Sequence, residues 1–357
     1  MKKIWILTYS AGLGGSELNA YKITQILKQH SFDWSCLSFS KVDLLPLINS
    51  TSNIHKVSNL NYSNLLSIAF LKQINQVIKT ENYSTVYAIG FMPAVIISLV
   101  KILFRPRVRF ISTRREVMPW LRFRHIPFIG LINLLSTRVE TNSKKILSSL
   151  KKQFILNKKA YLLPNITLKP NTDQKLDFFK DEFIYVGLVA NVRKAKNIEL
   201  FLNIAKKMIL NNKKLIFVIA GQDSQNLVKN FINKYALDGR LVIFEDISFE
   251  NINKFYSGLD IFLFTSIHEG SPNVIFEALS YGLPIVASDI PATSEVIDKN
   301  INGFLVNVNK IDKFILKINL LLQNRNLKEA IQRNNLKKSN LLNNIDNTKR
   351  ILSKEFL

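Results

Sequence analysis

Two carboxylates that could do chemistry, Glu269 and Glu277, flank seven residues in the run EGSPNVIFE. The apolar run Asp260–Thr265 (DIFLFT) reads as a buried strand that delivers the chain to Glu269 and Gly270. Ser271 suits an N-cap and Pro272 the first helical position, and Asn273–Tyr281 is uninterrupted helix former. Val274, Ile275, Ala278 and Leu279 give that helix its inward face, and Gly282 and Pro284 end it before a further strand, Ile285–Ala287. Glu269 therefore sits where unpaired N–H groups and the helix dipole favour negative charge. Glu277 lies one turn beyond Asn273 on the same face. A junction of this kind can bind an anion or a polar ligand. Plain capping by Glu269 and a solvated Glu277 are the bland alternatives.

Two further loops have the same strand-to-helix setting. After the strand Phe183–Val189 comes ANVRKAKN, then a helix from Ile198 to about Leu210. Its cations Arg193 and Lys196 suit a diphosphate, because charge-assisted hydrogen bonds exceed neutral ones in strength. Near the N-terminus, a strand Lys3–Tyr9 leads into SAGLGGS and a helix to about His30. Gly14 and Gly15 would let backbone approach a ligand, but Glu17 occupies the third glycine place of a dinucleotide fingerprint, so a nicotinamide site is disfavoured. A tight turn without ligand is the alternative there.

The wording around the two glutamates resembles the E-x7-E signature of glycosyltransferase family 4. Gly-x-Pro after Glu269, Glu277-Ala278, the run GLPIVAS, and then SEVI and NGFLV downstream all match as they stand. The resemblance covers the whole chain, specific from about Phe183 to Val306 and diffuse before it. It implies an α/β, GT-B fold of two Rossmann-like domains with an interdomain cleft, and a retaining, metal-independent hexosyltransferase. In that reading Glu269 is the catalytic carboxylate beside the transferred sugar and Glu277 binds ribose. Gly270, Ser271, Pro272, Asn273 and Val274 present backbone to sugar or phosphate, and Arg193, Lys196, Gly14 and Gly15 serve donor binding. No cofactor is implied beyond the nucleotide-diphosphate sugar that acts as donor, and the acceptor is a glycan or lipid-linked species. Four positions depart from the family pattern. Asn191 stands where an Arg is usual, Ile166 replaces the Gly of Pro-Asn-Gly, Asp246 replaces a Gly, and no His occupies the segment Thr113–Glu116.

Composition bounds the rest. A chain of 357 residues with 47% hydrophobic content supports two globular domains. A single cysteine, Cys36, excludes an internal disulfide. No signal peptide is visible, and the apolar stretch Phe91–Phe104, interrupted by Lys101, falls short of a membrane span. The expectation is a cytoplasmic chain, peripheral on the inner face of the cell membrane.

Lys and Arg number 49 against 26 acids, a net charge of +23, which implies an anionic partner. The basic residues concentrate between Lys101 and His125, interleaved with aromatics. Arg114, Arg115, Arg122, Arg124 and Trp120 are the candidates for an acceptor or anionic-membrane face. A solvated basic face is the bland reading, and nucleic acid is disfavoured because no recognition module accompanies the charge.

The expected domains are residues 1–166 on the acceptor side, a polar linker 167–182, a donor-binding domain 183–335, and a helical tail 336–357 returning to the first domain. Surface-polysaccharide assembly is the expected setting. A sugar-nucleotide epimerase and a non-catalytic membrane tether are the competing readings, and donor turnover separates the three.

Overall fold

Short runs apolar on both faces build two all-parallel sheets, as buried strands connected by helices must. The computed structural model describes residues 2–9, 15–37, 53–60, 64–115, 125–167, 174–245, 247–343 and 345–356. These fall into two compact units, Met1–Ile166 with Asn344–Leu357, and Thr167–Asn343.

Among the described residues the first unit holds seven strands: β1 (Lys3–Thr8), β2 (Ser31–Cys36), β3 (Ile54–Asn59), β4 (Thr85–Ala88), β5 (Arg109–Thr113), β6 (Arg138–Thr141) and β7 (Ala160–Leu162). Their order is β3-β2-β1-β4-β5-β6-β7. The second unit holds β8 (Ile184–Val189), β9 (Leu215–Ala220), β10 (Leu241–Phe244), β11 (Ile261–Phe264), β12 (Ile285–Ser288) and β13 (Phe304–Val306), in the order β10-β9-β8-β11-β12-β13. Strand order reverses between β1 and β4 in one sheet and between β8 and β11 in the other. Loops leaving the carboxyl ends of such a pair diverge to opposite faces and open a crevice for ligand.

The second unit is packed on both sides of its sheet. Phe217, Ile219 and Leu263 meet Phe201, Ile204 and Ile318 on one face, while Val218, Phe262 and Phe264 meet Phe255, Ile275 and Leu279 on the other. The expected linker is shorter than 167–182. Residues 168–173 lie outside the described residues, and Phe179, 7% exposed, is already core, ring to ring with Tyr185 at 4.7 Å. Burying Phe179, with half-buried Phe178 packed beside it, outweighs leaving the segment loose, so it joins the second unit.

The expected tail 336–357 also divides. The helix Arg325–Leu342 packs on Asn273–Ser280 and donates Asn335 Nδ2 to the Leu283 carbonyl at 2.7 Å, so residues 336–342 belong to the second unit. The next helix, Ile345–Phe356, packs on the first. There Leu352 and Phe356 are fully buried, Phe356 meets Tyr87 edge-on at 5.0 Å, and Arg138 pairs with Glu355 at 2.8 Å.

Candidate functional site

The β8–β11 reversal brings together two of the loops singled out by their charges. Beyond β8, the Ala190 and Val192 N–H groups bond the Ala220 and Gln222 carbonyls at 2.9 and 2.8 Å, extending the pairing to β9. The chain then makes a 3-10 turn, Lys194–Lys196. Asn197 adopts left-handed φ 49° and ψ 50° before the helix Ile198–Asn211, a conformation Asn tolerates better than most residues. Beyond β11, Thr265 Oγ1 donates to the Lys196 carbonyl at 3.0 Å and the Ile267 N–H to the Ala195 carbonyl at 2.8 Å. These two bonds staple the loops. Lys196 Nζ then lies 2.5 Å from Glu269 Oε1, with both side chains mostly shielded from solvent.

The crevice wall at β9 depends on one glycine. Gly221 has φ +151°, and a Cβ there would stand 2.2 Å from the Ala190 carbonyl oxygen. Gly221→Ala is therefore expected to cost about 2–4 kcal/mol, backbone strain plus overpacking, measured by urea unfolding. A cost below about 1 kcal/mol would mean the two backbones can part freely.

Asn191, in the place where the resemblance expects Arg, accepts the Gln222 N–H through Oδ1 at 3.0 Å, so it braces this wall. Arg193 is exposed at the start of the turn.

The helix after Glu269 begins one residue later than expected. Pro272 (φ −75°, ψ 113°) is the N-cap, and the helix runs Asn273–Ser280. Ser271 is thus displaced from the cap, and Pro272 from the first helical position. The Pro272 carbonyl receives the Ile275 N–H at 3.1 Å, which tightens the entry, but proline has no side-chain acceptor for the first-turn amides. Gly270, Ser271 and Asn273 are half-buried in this turn, and Val274 packs against the core.

Glu277 accepts the Tyr256 hydroxyl at 2.9 Å. Tyr256 stacks on Tyr281 at 5.3 Å, and Tyr281 donates to Asn253 Oδ1 at 2.8 Å. Burial, then the Glu277 charge, holds the Tyr256 hydroxyl well above its ordinary pKa, so it remains a donor that fixes the carboxylate. Sequence reading missed this support. Tyr281, four residues beyond Glu277, was visible as a same-face neighbour, whereas Tyr256 comes from the helix Phe249–Ser257 and left no signal.

Also missed was Asp223, whose carboxylate accepts the Leu227 and Val228 N–H groups at 2.8 Å each. Its own N–H donates to Glu245 Oε1 at 3.0 Å, joining the exits of β9 and β10.

In the first unit, Gly15 opens the helix Gly15–Ile26, and Gly14 lies outside the described residues. The basic face needs correction. Arg114 and Arg115 are 6% and 7% exposed, so neither guanidinium is presented to an acceptor or a membrane. Arg115 Nε donates to Glu140 Oε1 at 2.9 Å and Arg115 also donates to the Tyr87 hydroxyl at 3.0 Å, while that hydroxyl donates to Glu140 Oε2 at 2.5 Å. Burial opposes the Arg115 charge, but Glu140 and Tyr87 more than compensate, and its pKa stands above the usual arginine range. Arg114 bonds Asn133 Oδ1 at 3.1 Å, and burial lowers its pKa to about 10. Trp120, Arg122 and Arg124 lie outside the described residues.

Residues 169–338 match the family described as "Glycosyl transferases group 1". The chain is 31% identical over 141 residues to an Escherichia coli UDP-Gal:alpha-D-GlcNAc-diphosphoundecaprenol alpha-1,3-galactosyltransferase, covering 38% of this chain and 35% of that protein. A Haemophilus influenzae glycosyltransferase is 24% identical over 343 residues, 92% of each chain. Several other curated relatives are matched over only a third to a half of their length, from 32% to 49%. Among solved structures, Anabaena HepE in complex with UDP-glucose superposes with a TM-score of 0.85 at 15% identity, covering 100% of this chain and 99% of that one. The fold is GT-B, two parallel-sheet Rossmann-like units. The family match and these relatives together support a glycosyltransferase built on it.

Proposed function

We propose that the protein is a retaining glycosyltransferase. It moves a hexosyl group from a nucleotide-diphosphate sugar to a glycan or lipid-linked acceptor, in the assembly of a bacterial surface polysaccharide at the inner face of the membrane. The observation that carries this reading is the Lys196–Glu269 pair at the β8–β11 reversal, beside a helix start whose cap offers no side-chain acceptor.

Cleaving the anomeric C–O bond puts positive charge on the sugar and negative charge on the departing diphosphate. In the reading argued here, Lys196 and the first-turn amides meet the leaving charge without a metal, with Arg193 in reach of the outer phosphate. Glu269 then faces the cationic sugar carbon. Glu277, held by Tyr256, offers an oriented carboxylate to the ribose hydroxyls. Gly270–Val274 bring backbone toward sugar and phosphate. HepE was solved with UDP-glucose, and uridine diphosphate sugars therefore head the donors to test.

The test is a thermal-shift panel of nucleotide sugars on wild type and Glu277→Ala. A donor at a hundred times its dissociation constant stabilises by about 2.7 kcal/mol. One donor is expected to shift wild type and to lose most of that effect in Glu277→Ala. If no nucleotide sugar shifts wild type, the assignment falls. With the donor known, its consumption only in the presence of acceptor separates transfer from epimerisation.

A further inference from the structure

The first unit carries an apolar surface in a strongly basic setting, starting directly after the segment to which charge alone pointed. The helix Ile126–Leu135 (IPFIGLINLL) has no charged residue, yet buries only Ile132 and Asn133. Ile126, Gly130 and Leu134 follow at four-residue steps on one side. Ile126 is 52% and Leu134 58% exposed, and a Cβ added at Gly130 would meet nothing within 4 Å.

The turn after Lys144–Lys151 lies at this helix's end. Asn133 Nδ2 donates to Gln153 Oε1 at 3.4 Å, and Lys159 Nζ caps the Asn133 and Leu134 carbonyls at 3.1 and 2.7 Å. Leu156, fully buried, pins the turn from within. The turn so anchored holds Phe154 99% exposed and Ile155 47% exposed, flanked by the exposed Lys151, Lys152 and Lys158. Residues 125–167 contain seven basic side chains and one acid, Glu140, which is spent in the buried pair with Arg115.

We propose that this surface, the exposed side of Ile126–Leu135 with the Phe154 turn, docks on an anionic lipid membrane. Charge complementarity selects that occupant. A wholly exposed phenylalanine flanked by Lys151, Lys152 and Lys158 inserts its ring at the acyl boundary while those three ammonium groups meet lipid phosphates. A protein partner would need acidic residues around an apolar socket, and a nucleic acid would gain nothing from Ile126 or Leu134. The inference rests on the proposed transfer to a membrane-held acceptor for its purpose, and on the geometry above for its place.

The experiment is co-sedimentation of the full chain with vesicles of equal phosphatidylglycerol and phosphatidylcholine, against phosphatidylcholine alone, at low and high salt. Wild type is expected to bind the anionic vesicles in a salt-sensitive way. Phe154→Glu is expected to weaken that partition about tenfold, and the double change Lys151→Gln with Lys152→Gln about thirtyfold. Gly130→Leu fills open space and is expected to strengthen it several-fold. Phe154 supports no core, so its variant should keep the wild-type Tm and donor response.

Absence of anionic-vesicle binding, or binding indifferent to Phe154 and Gly130, overturns the proposal. So does retention by RNA that competes with vesicles irrespective of Phe154. Donor shifts without vesicle binding remove the surface and leave the transferase reading. Vesicle binding without donor shifts does the reverse.

Discussion

Glu269→Gln is expected to lower kcat about a thousandfold while leaving the donor-induced thermal shift in place. The substitution keeps the shape and removes one negative charge from the position proposed to face the developing cation. Losses of one preorganised electrostatic group in a shielded site are of order 10²–10³. Little stability should go with it. The Lys196–Glu269 pair is partly solvated, 25% and 17% exposed, and pairs of that kind contribute about 1 kcal/mol or less.

The released Lys196 ammonium gives the prediction its asymmetry. Without its carboxylate partner it can turn wholly to the diphosphate, so donor affinity should hold or rise as turnover collapses. Lys196→Ala should do the opposite, weakening donor binding first. Steady-state kinetics with titration of the same donor separate the two, since loss confined to kcat marks an interaction made chiefly in the transition state. A Glu269→Gln enzyme within tenfold of wild type would remove Glu269 from the chemistry and leave it a counter-ion for Lys196.

What the sequence disclosed of this site follows from where its signals were local. DIFLFT, LIFVIA and the run ending at Val189 are apolar on both faces, so β8, β9 and β11 were legible from composition alone, and with them the loops that hold Lys196 and Glu269. Their meeting was not legible. It depends on the strand order placing β11 beside β8, across 73 residues between the two side chains. Boundaries slipped where proline permits two answers, as at Pro272, which serves either as the cap or as the first helical residue. In the first unit, β6 (RVET) and β7 (AYL) are only four and three residues long, too short for a periodicity to betray them.

Arg114 and Arg115 misled for a related reason. Charges beside aromatics read as a surface, and only the fold supplies the buried partners. Conversely, Phe154 and Leu134 look like core in the sequence, and only the fold shows them bare. The first unit is therefore the half in which charge and apolarity are least reliable as guides to inside and outside.

The buried pair itself is the second large effect. Arg115→Met is expected to destabilise the first unit by about 3–5 kcal/mol, because it leaves the Glu140 carboxylate, with 0% side-chain exposure, without its cation. Tyr87 can still donate to Glu140, but one hydroxyl does not replace a guanidinium that bonds both partners. The consequence reaches three adjacent strands, since Tyr87 lies on β4, Arg115 follows β5 and Glu140 lies on β6. Tyr87 also carries Phe356 of the returning C-terminal helix.

All three tryptophans, Trp5, Trp34 and Trp120, fall within residues 1–166, so their fluorescence in urea reports this unit rather than the other. The midpoint should fall sharply in Arg115→Met and recover most of the loss in Arg115→Met with Glu140→Leu, where neither charge is left buried alone. Recovery would identify the pair as a constraint on which strands neighbour one another, replaceable in energy by apolar packing. If the double variant is as unstable as the single one, the guanidinium's geometry at the exit of β5, rather than its charge, is what the unit requires.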